Sequence, residues 1–118
     1  YDTMRMSAAP VRTIGLGKVM SAGCLILAAG EHGHRCMGPN ARLMYHQGYE
    51  IQGGDLVDQK NNLREFQRTE KQYDRLVAKE TSRTLKEVEA LYNVTRTDRY
   101  MTAREALAFG FIDGIAGR

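Results

Sequence analysis

This sequence has no long apolar run, little cysteine and no block of like charge, and each shortage excludes something. No stretch of the 118 residues approaches the roughly 20 apolar residues that a helical membrane span needs, so no membrane partner is read. The first residues carry Asp2 and Arg5 without an apolar core, so no secretory leader pattern is read there either. The two cysteines, Cys24 and Cys36, are too few for a disulfide framework and fit a reducing compartment. Lys and Arg total 17 against 14 Asp and Glu, a net charge of +3 spread along the chain. That pattern makes a solvated surface and gives no footprint for nucleic acid. No internal repeat, low-complexity tract or linker divides the chain. With 42% hydrophobic residues it reads as one domain, 1–118, with a modest core.

Ser21 lies in Gly17-Lys18-Val19-Met20-Ser21-Ala22-Gly23, between an apolar strand-like run and a small-residue helix. A serine at such a junction exposes its hydroxyl beside the free N–H groups of a helix start, an arrangement suited to acyl transfer. The plain alternative is a helix cap. Farther on, Arg42-Leu43-Met44-Tyr45-His46-Gln47 reads as a strand ending in histidine, and Thr97-Asp98-Arg99-Tyr100 as a loop entering a helix. Serine, histidine and aspartate supply a nucleophile, a base and an orienter of that base. Taken singly, His46 also fits a packed or surface histidine, and Asp98 a partner of a helix dipole. Lys18, three residues before Ser21, raises the competing picture of a serine–lysine peptidase. A lysine base must be desolvated, however, and Lys18 is read at a strand end near solvent. His32 and His34 have ligand-like spacing but no third ligand nearby, so no metal site is read.

Along the chain, Val11–Leu16 reads as a buried strand, Ser21–Ala29 as a helix stopped by Gly30, and Arg35–Met37 as a short strand. Gly38-Pro39-Asn40 is a turn and Arg42–Gln47 a strand. Gly48–Gly54 is glycine-rich, with Tyr49 and Ile51 alternating. Asp55–Thr81 reads as a long helix whose apolar residues Leu56, Leu63, Phe66, Tyr73 and Val77 form a narrow seam among charges. So polar a helix is expected to project and to pack on another copy. Ser82–Tyr92 is a shorter helix with a Thr84/Glu87 capping box, and Asn93–Thr97 a loop. Thr102 and Glu105 cap a helix that ends at Gly110, and Phe111–Asp113 reads as a last strand.

The blocks M-S-A-G, P-N-A-R-L-M-Y-H-Q and D-R-Y-M-T-A-R-E-A-L-A-F-G-F-I-D-G-I, with the opening Y-D-T-M, resemble the Clp protease proteolytic subunit family over the whole chain. The resemblance implies a mixed α/β fold, the β-β-α superhelix shared with crotonases, in which region 48–81 forms a protruding handle. It implies Ser21 as nucleophile, His46 as general base, Asp98 as its orienter and the Ala22 backbone N–H as one oxyanion donor. The implied activity is that of a serine endopeptidase cutting unfolded polypeptides to short peptides, with no cofactor of its own. ATP would be consumed by a partner unfoldase. The implied assembly is a homo-oligomer of stacked heptameric rings, fourteen subunits in all. The implied compartment is the bacterial cytoplasm, the mitochondrial matrix or the plastid stroma.

The family also implies that Gly48–Gly54 gives a strand pairing with substrate and with the opposite ring. Here that stretch is shorter than the family's and lacks its proline. The opening residues read as the tail of a helix already under way, so the chain is expected to be the C-terminal part of a longer domain. The second oxyanion donor would then lie upstream, and a chain of this extent alone is expected to be a poor enzyme. Thr97 stands where the family has a ring-contact arginine, with Arg96 one position off. Ring association is therefore expected to rest on the seam Leu63, Phe66 and Tyr73. Two other readings are a catalytically silent subunit of a mixed ring and a crotonase-type acyl-CoA hydratase, the latter disfavoured by the histidine and aspartate motifs.

Overall fold

A computed structural model describes residues 1–93 and 98–117. After α1 (Asp2–Met6) the chain twice repeats one unit, strand–strand–helix. The first unit is β1 (Thr13–Gly15), β2 (Lys18–Met20) and α2 (Ala22–Ala28). The second is β3 (Arg35–Met37), β4 (Arg42–Tyr45) and α3 (Leu56–Thr81), followed by α4 (Leu85–Asn93). The chain closes with β5 (Arg99–Thr102), α5 (Ala103–Phe109) and β6 (Gly114–Ile115). Each turn gives one strand to each of two sheets, ordered β1-β3-β6 and β2-β4-β5. Strands β1, β3 and β6 run parallel, as do β2 and β4, whereas β5 is antiparallel to β4. This is the expected mixed α/β superhelix.

The corner between β1 and β2 turns at Gly17, whose φ of +67° suits a residue without Cβ. Across it, the Arg42 N–H donates to the Gly17 carbonyl at 2.8 Å and ties the start of β4 to the corner. Helix α5 begins and ends as the sequence predicts, whereas the helix expected at Ser82–Tyr92 is α4, Leu85–Asn93, with Ser82 closing α3 instead. The Thr102 hydroxyl accepts from Glu105 N–H while the Glu105 carboxylate accepts from Thr102 N–H, and Gly110 closes α5 at φ +102°. The Thr84/Glu87 box also forms at the start of α4. Leu43, Tyr45, Met37, Phe111 and Cys24 fill the core between the sheets and helices.

Helix α3 has 26 residues, about 39 Å at 1.5 Å per residue. The Asp55 carboxylate caps it by accepting from Val57 N–H and Asp58 N–H. Only its C-terminal end is buried, at Asp74, Val77, Ala78, Glu80 and Thr81. At the other end Leu56 is 67% exposed and Leu63 50%, so this helix projects from the body as expected. Among the described residues no helix is long and apolar enough to cross a membrane.

Several sequence expectations need correction. The strand expected at Val11–Leu16 is the shorter β1, and beyond the Gly17 corner lies β2, a strand the sequence reading did not give. β4 stops at Tyr45, leaving His46 just beyond it. Arg99–Thr102, read as a loop, is β5, and the last strand is Gly114–Ile115 rather than Phe111–Asp113. Gly48–Gly54 forms no strand. A strand whose partners belong to substrate or to another copy has nothing in its own chain to bond to. Of the loop Asn93–Thr97, only Asn93 lies among the described residues, where it ends α4; Arg96 and Thr97 lie outside them.

Candidate active site

Ser21 is the single residue between β2 and α2, and its backbone takes φ 54° and ψ −127°. A non-glycine residue held there costs about 1–3 kcal/mol and persists only where its surroundings fix it. The Ser21 N–H donates to the Met44 carbonyl at 3.0 Å, which prolongs the β2–β4 pairing. The Ser21 carbonyl accepts from Cys24 N–H at 2.9 Å and from the Tyr73 hydroxyl at 2.7 Å. The Ser21 side chain makes no capping hydrogen bond and is exposed. Its hydroxyl is therefore not spent on the helix end, which removes the plain cap reading.

Ser21, Ala22 and His46 line one cavity of about 190 Å³, walled by Phe66, Thr69 and Tyr73 from α3. His46 is half-buried, held where β4 ends against the core. Asp98 is exposed and is not among the residues that line the cavity. The β4–β5 ladder ends at the pair Tyr45–Arg99, and His46 and Asp98 are the residues next beyond it in the two chain directions. Among the described residues no hydrogen bond joins Ser21 Oγ, His46 and Asp98. Lys18 is exposed on β2 and takes no part in the cavity. His32 faces Glu80, with Nε2 3.4 Å from a carboxylate oxygen.

The neighbouring thiol is no rival nucleophile. Cys24 is fully buried, donates to the Met44 carbonyl at 3.0 Å, and is pushed up to about 12 by burial. A thiol so desolvated stays protonated at ordinary pH.

The sequence reading missed how the floor of the cavity is built. Asp74 is 5% exposed and accepts from Tyr45 Oη at 2.5 Å and from Tyr92 Oη at 2.6 Å. Desolvation first, and the Asp74 carboxylate second, push both phenols upward, so they remain donors. Tyr73 stacks on Tyr45 with centroids 5.6 Å apart. The Glu70 carboxylate accepts from Gly48 N–H and fastens the segment after His46 to α3. One signal was present in the sequence: Tyr73 and Asp74 are adjacent on the helix end that must meet the core. The expected seam needs correction as well. Tyr73 is committed inside its own subunit and Phe66 walls the cavity, which leaves Leu56, Val57 and Leu63 exposed on the projecting part of α3.

The superhelix thus presents an uncapped serine at a strained strand-to-helix junction and a histidine to one cavity. A family profile described as Clp protease matches residues 1–118, and the chain belongs to that family. It is 37% identical over 115 residues to the "ATP-dependent Clp protease proteolytic subunit 2" of Nocardia farcinica (strain IFM 10152), covering 98% of this chain and 55% of the relative. It is 38% identical over 116 residues to the "ATP-dependent Clp protease proteolytic subunit" of Leuconostoc citreum (strain KM20), covering 97% and 56%. The chain thus spans about half the length of the curated relatives it matches.

Proposed function

We propose that this chain carries the catalytic centre of a serine endopeptidase subunit that cuts unfolded polypeptides into short peptides. Ser21 Oγ attacks the scissile carbonyl carbon while His46 removes its proton. The C–N bond then breaks as His46 returns that proton to the leaving amine. Water, deprotonated by His46 in turn, hydrolyses the acyl-serine. Asp98 orients the imidazole and balances its positive charge when protonated. The Ala22 N–H, at the start of α2, donates to the oxyanion. The subunit itself needs no cofactor. A partner unfoldase spends ATP to deliver substrate, and copies of the subunit assemble into stacked heptameric rings in the cytoplasm.

The observation that carries this reading is Ser21 itself. Its backbone is held in a costly conformation whose effect is to present an uncapped hydroxyl to the cavity that His46 also lines. For peptide substrates, a cavity walled by Phe66 and Tyr73 beside Ser21 accepts an apolar side chain.

A fluorophosphonate probe applied to the full-length gene product tests the proposal. Ser21 is expected to be labelled, Ser21→Ala to abolish labelling, and His46→Ala to slow peptide turnover by more than about 10³-fold. Labelling that survives Ser21→Ala sinks the assignment. A protein that assembles into rings yet takes no label is the silent structural subunit instead.

A further inference from the structure

The Ser21–Ala22 peptide group carries two jobs at once. Its carbonyl belongs to the serine and its N–H to Ala22. A trans peptide is planar, with C=O and N–H on opposite sides, so the direction of one fixes the direction of the other. The carbonyl accepts from the Tyr73 hydroxyl at 2.7 Å, a contact across 52 positions of sequence. Cys24 N–H reaches the same oxygen from within α2. On the other side of Ser21, its own N–H is held by Met44 of β4, two residues before His46. The peptide planes flanking Ser21 are therefore pinned by β4 on one side and by α3 on the other.

Tyr73 is well placed to hold such a plane. Its ring stacks on Tyr45, 12° from parallel, and Tyr45 is itself bonded to Asp74, the residue after Tyr73. Burial pushes the phenol upward, so it stays a donor across the working range of pH.

We propose that Tyr73 is a positioning residue for the peptidase reaction: by holding the Ser21 carbonyl it aims the Ala22 N–H at the oxyanion and Ser21 Oγ at the cavity. The proposal rests on Ser21 being the nucleophile. An oxyanion donor acts on the tetrahedral state more than on bound substrate, so loss of its aim lowers kcat and leaves KM in place.

The test compares Tyr73→Phe with the wild type in the full-length gene product. Tyr73→Phe keeps the stacked ring and deletes only the hydroxyl. It is expected to lower kcat about three- to tenfold, as the loss of one hydrogen bond to the aim of a donor would. KM for a short apolar peptide is expected to hold, and a peptide boronate, which forms the tetrahedral serine adduct, to bind weaker by the same factor. Tyr1→Phe deletes a matched hydroxyl, the one bonded to Glu80 at 2.6 Å far from the cavity, and is expected to leave kcat and boronate affinity unchanged. 4-Fluorophenylalanine at position 73, which fills the volume of the hydroxyl without its donor and keeps the stacked ring, serves as the second variant if Tyr73→Phe does not fold, with the same pattern expected. Unchanged kcat and boronate affinity, or a loss confined to KM, overturns the role of Tyr73. A wild-type protein that forms no adduct at Ser21 overturns the underlying reading, and the two failures are told apart by the wild-type arm alone.

Discussion

Ser21 shows how a single residue can carry strain for a purpose. Its φ of 54° puts an L side chain where glycine is at ease. If the conformation is kept by the Met44 and Tyr73 contacts, removing the side chain relieves strain that removing only the hydroxyl does not. Ser21→Gly is therefore expected to be more stable than Ser21→Ala by about 1 kcal/mol, with both inactive. Urea denaturation of the two variants checks this, and an alanine variant as stable as the glycine one contradicts the strain. The same logic explains why the hydroxyl is available: a serine in a capping conformation would spend it on the N–H groups of α2.

Between elements, Arg35 does the tying. The residue is 4% exposed, and its guanidinium donates to the carbonyls of Ala28, at the end of α2, and Glu80, near the end of α3, at 3.1 and 2.7 Å. Its other face pairs with Asp113, Nη2 lying 2.5 Å from Oδ1 and Nε 2.8 Å from Oδ2. Asp113 also accepts from Gly33 N–H at 2.7 Å. Arg35 hydrogen bonding, opposed by desolvation, lowers this carboxyl from 3.8 to about 2. The unfolded chain thus binds a proton as pH falls through 3.8 that the folded chain takes up only near 2. Asp113 stabilises the fold fully above that window and the contribution is lost as pH falls through it. With 22% of the side chain still exposed, solvent screening limits the contribution to roughly 1–2 kcal/mol. Thermal melts from pH 5 to pH 2 should show Asp113→Asn less stable than wild type at the upper end and converging with it at the lower. A constant gap across that range would falsify the linkage.

For the whole molecule, the projecting half of α3 leaves apolar surface exposed among the described residues. Leu56 is 67% exposed, Val57 65% and Leu63 50%, and the molecule extends 54 Å along its longest axis against 25 Å along its shortest. In the proposed stacked rings this surface meets the opposite ring. Leu63→Glu places charge in that contact without touching the cavity, so it is expected to split double rings into single rings in native mass spectrometry while the subunit melts as before. Phe66, which walls the cavity, is the wrong residue for that experiment because a charge there would disturb substrate binding as well. Double rings that persist in Leu63→Glu rule out the exposed leucine as the contact.

What the sequence determined by itself is what local chemistry decides. The span of α3, the Thr84/Glu87 and Thr102/Glu105 boxes and the Gly110 stop follow from hydrogen bonds between residues close in the chain. The positions of Ser21 and His46 at element ends were legible for the same reason, and their roles came from motif resemblance. Only the tertiary structure decided the rest. β2 and β5 are strands of three and four residues, and each exists because β4 lies beside it, which no local pattern reveals. Tyr73 read as one more apolar seam residue because its spacing is that of the helix. Its hydroxyl gained a meaning only when folding set it against Ser21, across a separation that hydrogen bonding within a helix never spans. Asp74, polar in a helix full of charge, looked solvated until α4 and β4 closed over it and made two tyrosines its solvent.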